Sequence, residues 1–569
     1  MAIDFDEPPI SAMDVIYAIQ GRLSPGRGIL LDEQLKADDD LREIAQMMGL
    51  AMSKSTFGAK PTRARGVARH LEKPAVWWSM TIAILIATVF WGGRSLISSS
   101  VAADIKDTKQ LIGQSPTNVE ILLEAIRRLS SHSGILINSN VNNERQLLIA
   151  QCCTAMSELA HSNGSSPLNN LNPSTSSEMA YAERAIAAIS SVNETTPEVR
   201  IALGKAYLAR AIVWHRFGET ADKISEDDTE TGLAKRSKDD RKSFFEKCML
   251  DAMASLRHSP NSQTDTMIHA YTLLGRSIHK SGSVSGLSKE DLKLLTRKGT
   301  ESHGISEAFG GSDSNTGNTS FVQPHSFALA ALFRGRDLIP AKPTNPDTCL
   351  TIARLHNAIG LVTISEGTDR ATTTAIESYS AGIAVIEVNK ESTDKIFGCG
   401  LMLGTLYGNL AEAFRLTGNL ELEITALKNA SQKFRSVQHL GSGDKLRTEF
   451  GLYSARLVIA EYRGLVRGIS SRDDVSLPLA ALQILSSDFK TTAGFELGPH
   501  EDWAALAIAK KLGFDKLEIQ RGKSRQDEVF RTIGAALSGN VDAKNRAFLS
   551  WISDLRDLFP PELQQAIPQ

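Results

Sequence analysis

The sequence predicts an all-α protein in which amphipathic helices pack on one another behind a single apolar helix. Three observations carry this. From about residue 115 onward, apolar residues recur at helical spacing, and no long alternating pattern of the kind a half-buried strand needs is present. Aromatic residues make up only 6% of the 569 residues, while Ala, Leu, Ile and Ser dominate, which suits close helix-on-helix contact. Residues 75–93 (AVWWSMTIAILIATVFWGG) carry no charge at all.

Residues 1–73 form the first segment. Its early part is acidic and its last thirty residues are basic. Ser11 and Asp14 fit a capping box, and Met13, Ile16, Tyr17 and Ile19 supply an apolar face that Pro25, Gly26 and Gly28 end. Behind Asp38, Asp39 and Asp40, the residues Leu41, Ile44, Ala45, Met48 and Met52 recur at helical spacing, with the acids placed at a positive helix N-terminus. Two short amphipathic helices are expected, either docked on a partner or folded on each other. Lys60, Arg63, Arg65, Arg69 and Lys73 then form a juxtamembrane basic stretch.

Residues 74–97 are expected to be a transmembrane helix. At about 1.5 Å per residue the uncharged stretch spans roughly 28 Å, close to a bilayer's hydrocarbon thickness. Trp77 and Trp78 stand at one end and Trp91 at the other, where an indole keeps its ring apolar and its N–H wet. The alternatives are a buried core helix and a cleaved signal peptide with Ser100-Val101-Ala102 as its site; the long basic lead and the length of the apolar run favour a retained span. Because Lys and Arg concentrate before residue 75, the N-terminus is expected in the cytoplasm and the remainder exported, periplasmic in a bacterium. Asn163, Asn193, Asn318 and Asn429 lie in Asn-x-Ser/Thr tripeptides that also arise by chance.

The exported part is expected as two helical regions, 98–303 and 326–569, joined by a mobile Gly- and Ser-rich loop at 304–325 that ends near Pro324. Residues 162–178, rich in Ser and Asn, read as a surface loop, and the charge-dense residues 218–242 as a solvated excursion.

The stretch 407–430 (YGNLAEAFRLTGNLELEITALKNA) resembles a tetratricopeptide repeat. Leu410 and Ala411 match the Leu-Gly pair of the family's first helix, Phe414 its aromatic position, Gly418-Asn419 its turn, and Leu427 and Ala430 packing positions of the second helix; Glu423 departs from the small residue expected there. The same signature returns at Leu203-Gly204 with Tyr207, at Leu274-Gly275 with Ile278 and Gly282, and at Ile359-Gly360 with Gly367 and then Tyr379. A small residue admits the partner helix closely, a bulky one three positions later fills the groove, and a glycine seven after the small residue closes the helix. The signatures begin at 203, 274, 359 and 410, farther apart than the family period of about 34 residues. The resemblance therefore implies a degenerate, interrupted α-solenoid that acts by binding proteins.

The net charge of −2 argues against a nucleic-acid partner. Cys152, Cys153, Cys248, Cys349 and Cys399 include no CxxC pair; they read as small buried hydrophobes, with one oxidised pair open to an exported domain. No phosphate loop, nucleophile elbow or zinc-protease helix is present, so no catalytic residue, metal ligand or cofactor is assigned and no enzymatic activity is expected. The expected function is a membrane-anchored scaffold. Its repeat surface would hold envelope proteins, residues 75–93 would hold lipid, and residues 1–58 would engage any cytoplasmic partner. The alternative is a single-pass signalling regulator with an exported sensor, a layout similar to that of anti-sigma factors but without their zinc ligands.

Overall fold

A computed structural model of the chain describes residues 97–113, 118–131, 137–162, 173, 176–192, 196–227, 232–296, 324–440, 444–488, 499–514, 552–559 and 561–565. Among these, every regular element is helical. The chain divides into two compact units: Met1–Cys152 with Ser190–Glu194, and Cys153–Ile189 with Thr195–Gln569.

In the first unit, residues 97–113 are helical and are followed by α1 (Val119–Ser130) and the start of α2 (Ser139–Ser162). Asn118 caps α1 by accepting from the N–H groups of Glu120 and Ile121. Leu122, Ala125, Ile126 and Leu129, spaced along one face, are buried together. Arg145 donates to the Leu129 carbonyl at 3.1 Å, satisfying an acceptor that the end of α1 leaves open.

The second unit is a succession of helical hairpins. Its elements are α3 (Ser177–Ser190), α4 (Pro197–Asp227), α5 (Gly232–His258), α6 (Thr264–Ser281), α7 (Lys289–Thr296), α8 (Pro324–Arg336), α9 (Pro346–Ile364), α10 (Asp369–Val388), α11 (Lys390–Thr393), α12 (Phe397–Leu416), α13 (Leu420–Val437), α14 (Asp444–Val466), α15 (Arg472–Asp488) and α16 (Pro499–Leu512), then a 3-10 turn (Ser553–Leu558) and α17 (Pro561–Gln564). The pairs α4/α5, α6/α8, α9/α10, α12/α13 and α14/α15 pack as hairpins, and each trailing helix also packs on the next leading one. The leading helices α4, α6, α9, α12 and α14 touch in succession, whereas the trailing helices make no comparable contact with each other. This is an all-α, solenoid-like arrangement.

Local sequence sets the hairpin turns. Asn345, Thr368 and Asn419 cap α9, α10 and α13 with their side-chain oxygens. Gly282, Gly367 and Gly418 follow α6, α9 and α12 with φ of 60°, 68° and 74°, the left-handed region a side chain resists.

Two expectations change here. The stretch 218–242, expected as a solvated excursion, is helical where it is described: α4 runs through to Asp227 and α5 begins at Gly232. Phe217 and Ala221 are buried, and Asp222 pairs with both Arg241 and Lys280 at 2.8 Å. The single-pass membrane localisation is also corrected, since among the described residues no helix is long and apolar enough to cross a membrane. The longest, α4, carries Arg200, Lys205, Arg210, Arg216 and Glu219, charges that hydrocarbon would not solvate. The stretch 75–93 with Trp77, Trp78 and Trp91, and the basic residues Lys60, Arg63, Arg65, Arg69 and Lys73, lie outside the described residues, as do the two short helices expected before them and the loop at 304–323. The lipid and envelope partners and the signalling alternative rested on that span and are not carried forward. Pro324, expected to close the loop, is the first residue of α8, where its missing N–H costs nothing.

Candidate functional site

The repeat-signature residues lie at the contacts between helices of the second unit. Gly204 is buried where α4 meets the end of α5; a Cβ there would stand 2.6 Å from the Ser259 hydroxyl. Half-buried Tyr207 stacks on His258, ring centroids 5.7 Å apart, and Leu203 is half-buried beside it. Leu274 is fully buried, and a Cβ on Gly275 would come within 2.6 Å of Leu332 and 2.8 Å of the Ala328 carbonyl in α8. Ile359 is buried, and the Tyr379 ring of α10 fills the space above Gly360. Leu410 and Ala411 are buried, Phe414 is half-buried, and Gly418 is exposed in its turn. Gly404 and Gly408, which the signature did not single out, admit the rings of Phe434 and Tyr453 in the same way. Their spacing of four from Gly400 was the available signal.

Most of these residues are buried or half-buried at helix contacts, and Gly418 is exposed. Polar contacts cross from each leading helix to the next. Between α4 and α6, Arg276 pairs with Glu219, and Lys280 with Asp222 at 2.8 Å. Between α6 and α9, the Thr348 hydroxyl donates to Asp265 at 2.7 Å. Between α9 and α12, the Asn409 amide donates to the Asn357 side-chain oxygen at 2.7 Å. Between α12 and α14, Thr405 donates to Glu449 at 3.0 Å, Tyr453 donates to Asn409 at 3.1 Å, and Arg456 faces Glu412 at 3.8 Å. The last three contacts join residues 44 apart in sequence, so α12 and α14 lie side by side, parallel and in register.

Arg354 of α9 differs from these residues. It is exposed, yet makes no hydrogen bond or ion pair among the described residues. The protein around it lowers its guanidinium pKa by desolvation; Cys399 and Asp347 oppose the shift, and Arg276 adds to it. The Cys399 thiol is itself pushed up to about 11 by burial, so it is neutral at pH 7 and Asp347 is the anion Arg354 senses.

Below this face lies a small cavity of about 20 Å³, lined by Gly408, Ala411, Glu412, Arg415, Glu423, Leu427, Arg456 and Ile459, room for a single water. Burial alone would raise the Glu412 pKa; Arg415 and Arg456 outweigh it and hold the carboxyl below its usual range. Deeper still, Arg463 is held by Glu423 at 2.8 Å and Asp554 at 3.1 Å. None of the five cysteines is in a disulfide, and all are buried. Among the described residues no group of three or more His, Cys, Asp or Glu side chains is placed to hold a metal ion.

No family model matches the chain, and no curated protein matches it. Among solved structures, the hypoxic regulator of sterol synthesis Nro1, described as a nuclear import adaptor, is similar over 63% of this chain and 94% of its own, with 12% identity and a TM-score of 0.30. A likeness at that score carries no argument for fold or function.

Proposed function

We propose that the second unit is a non-enzymatic interaction scaffold, a degenerate tetratricopeptide-like array that binds a protein segment across its leading helices. The observation that carries this is the succession of polar contacts between α4, α6, α9, α12 and α14, which builds one continuous polar face out of five hairpins. A face shared by successive hairpins suits an elongated ligand better than a small molecule held in one pocket. Packing on the buried side holds the face rigid, which limits the entropy lost on binding.

The test is photocross-linking from the full chain in its native cell. A photoactivatable residue at Leu361, exposed on leading helix α9, is expected to trap a discrete protein partner. The same residue at Glu377, exposed on trailing helix α10, is expected to trap none. Equal trapping at the two positions, or none at either, would end the scaffold reading.

A further inference from the structure

We propose that α14 and α16 form a docking groove for a short protein segment of mixed acidic and apolar character, and that the chain's own residues 552–559 occupy it as an internal ligand. The segment is built around the single 3-10 turn Ser553–Leu558, which packs on those two helices. The turn closes on itself: the Leu555 N–H donates to the Ile552 carbonyl, and the Phe559 N–H to that of Arg556. The Gln564 side chain, just beyond it, donates to the Phe559 carbonyl at 2.7 Å. Side chains then hold this self-contained turn to α14 and α16.

Two sets of contacts define what the groove recognises. Ile552, Leu555 and Phe559 are buried on an apolar floor that includes Val458, Tyr462 and Ile508. The Phe559 ring stacks on Trp503 with centroids 4.4 Å apart, the kind of aromatic anchor that dominates a protein interface. Acids hold the rim. Asp554 takes Arg467 on both its oxygens, at 3.0 and 2.8 Å, and Arg463 at 3.1 Å. Asp557 accepts from the Tyr462 hydroxyl at 2.7 Å and pairs with Lys511. The groove therefore asks for two acids three residues apart, a leucine between them and an aromatic residue two after the second acid. A partner segment with that pattern meets the same groups. The tether only sets the effective concentration that such a competitor must overcome.

Hydrogen exchange and a peptide-binding assay on the full chain test this. Amides of 552–559 are expected to exchange at least tenfold faster than the buried centres of α14 and α16, because the segment lifts without unfolding the helices. A labelled peptide of residues 552–565 should bind the chain in trans. Asp557→Lys in the chain sets two lysines against each other at the exposed rim, which loosens the internal copy. The unmodified peptide should then bind at least tenfold more tightly, because more of the chain has an open groove. A peptide carrying Asp557→Lys itself should bind neither chain. Exchange of 552–559 only together with α14 and α16, a peptide that binds both chains equally or neither, or equal binding by the Asp557→Lys peptide would each overturn the docking groove. Cross-linking at Leu361 does not depend on any of these results, so the scaffold reading and the groove can fail separately.

Discussion

The ring of Tyr379 in α10 occupies the space that any side chain at Gly360 in α9 would need. This contact lets the two helices approach closely, and similar contacts recur where Phe434 covers Gly404 and Tyr453 covers Gly408. Glycine-to-ring contacts therefore set how closely these helices approach.

Gly360→Ala is expected to destabilise the chain by about 1–3 kcal/mol, because Tyr379 is fully buried and cannot swing aside. Gly275→Leu should cost at least as much, since part of what it meets is the Ala328 backbone. Gly367→Ala has open space around it and bears only left-handed strain, roughly 1–2 kcal/mol. Thermal melts of the three variants check the order. A double-mutant cycle of Gly360→Ala with Tyr379→Ala should show strong coupling, because removing the ring removes the clash.

Tyr453→Phe keeps the ring over Gly408 and removes only the hydroxyl that Asn409 accepts. The expected loss is about 1 kcal/mol, read from the midpoint of denaturant unfolding with an unchanged slope. A loss several times larger would mean that the hydroxyl supports more than one contact.

Arg463→Met leaves Glu423 and Asp554 facing each other without their shared cation. About 3–5 kcal/mol of destabilisation is expected, the range for breaking a buried ion pair. Asp554 keeps Arg467 at 2.8 Å, so neutralising Glu423 as well, with Glu423→Gln, should recover much of it. Unfolding of single and combined variants, compared at one pH, decides between loss of charge balance and loss of packing.

Burial, followed by Arg336, lowers the His356 pKa to about 4. The unfolded chain binds a proton there near pH 6.5 and the native one does not until about pH 4. That contribution is present above pH 6.5 and is lost as the pH falls toward 4. Denaturant midpoints measured across this window should drop for the native sequence and drop less for His356→Gln. Parallel curves would show that the native imidazole titrates normally.

The sequence by itself determined the helices and their ends. Apolar spacing along Ile352, Leu355 and Ile359, the cap at Asn419 and the left-handed turn at Gly418 are local physics, fixed by residues within one or two turns. It also marked small residues such as Gly275 and Gly360 as places where helices come close, because a missing side chain leaves a visible trace in the sequence. Charge density at 218–242 misled the sequence reading: Asp222 looked solvated until its partners Arg241 and Lys280, far along the chain, were in place. Only the tertiary structure decided which side of the hairpins is shared. The meeting of Asn357 with Asn409, and of Thr405 with Glu449, depends on helix register between hairpins, which no local pattern encodes.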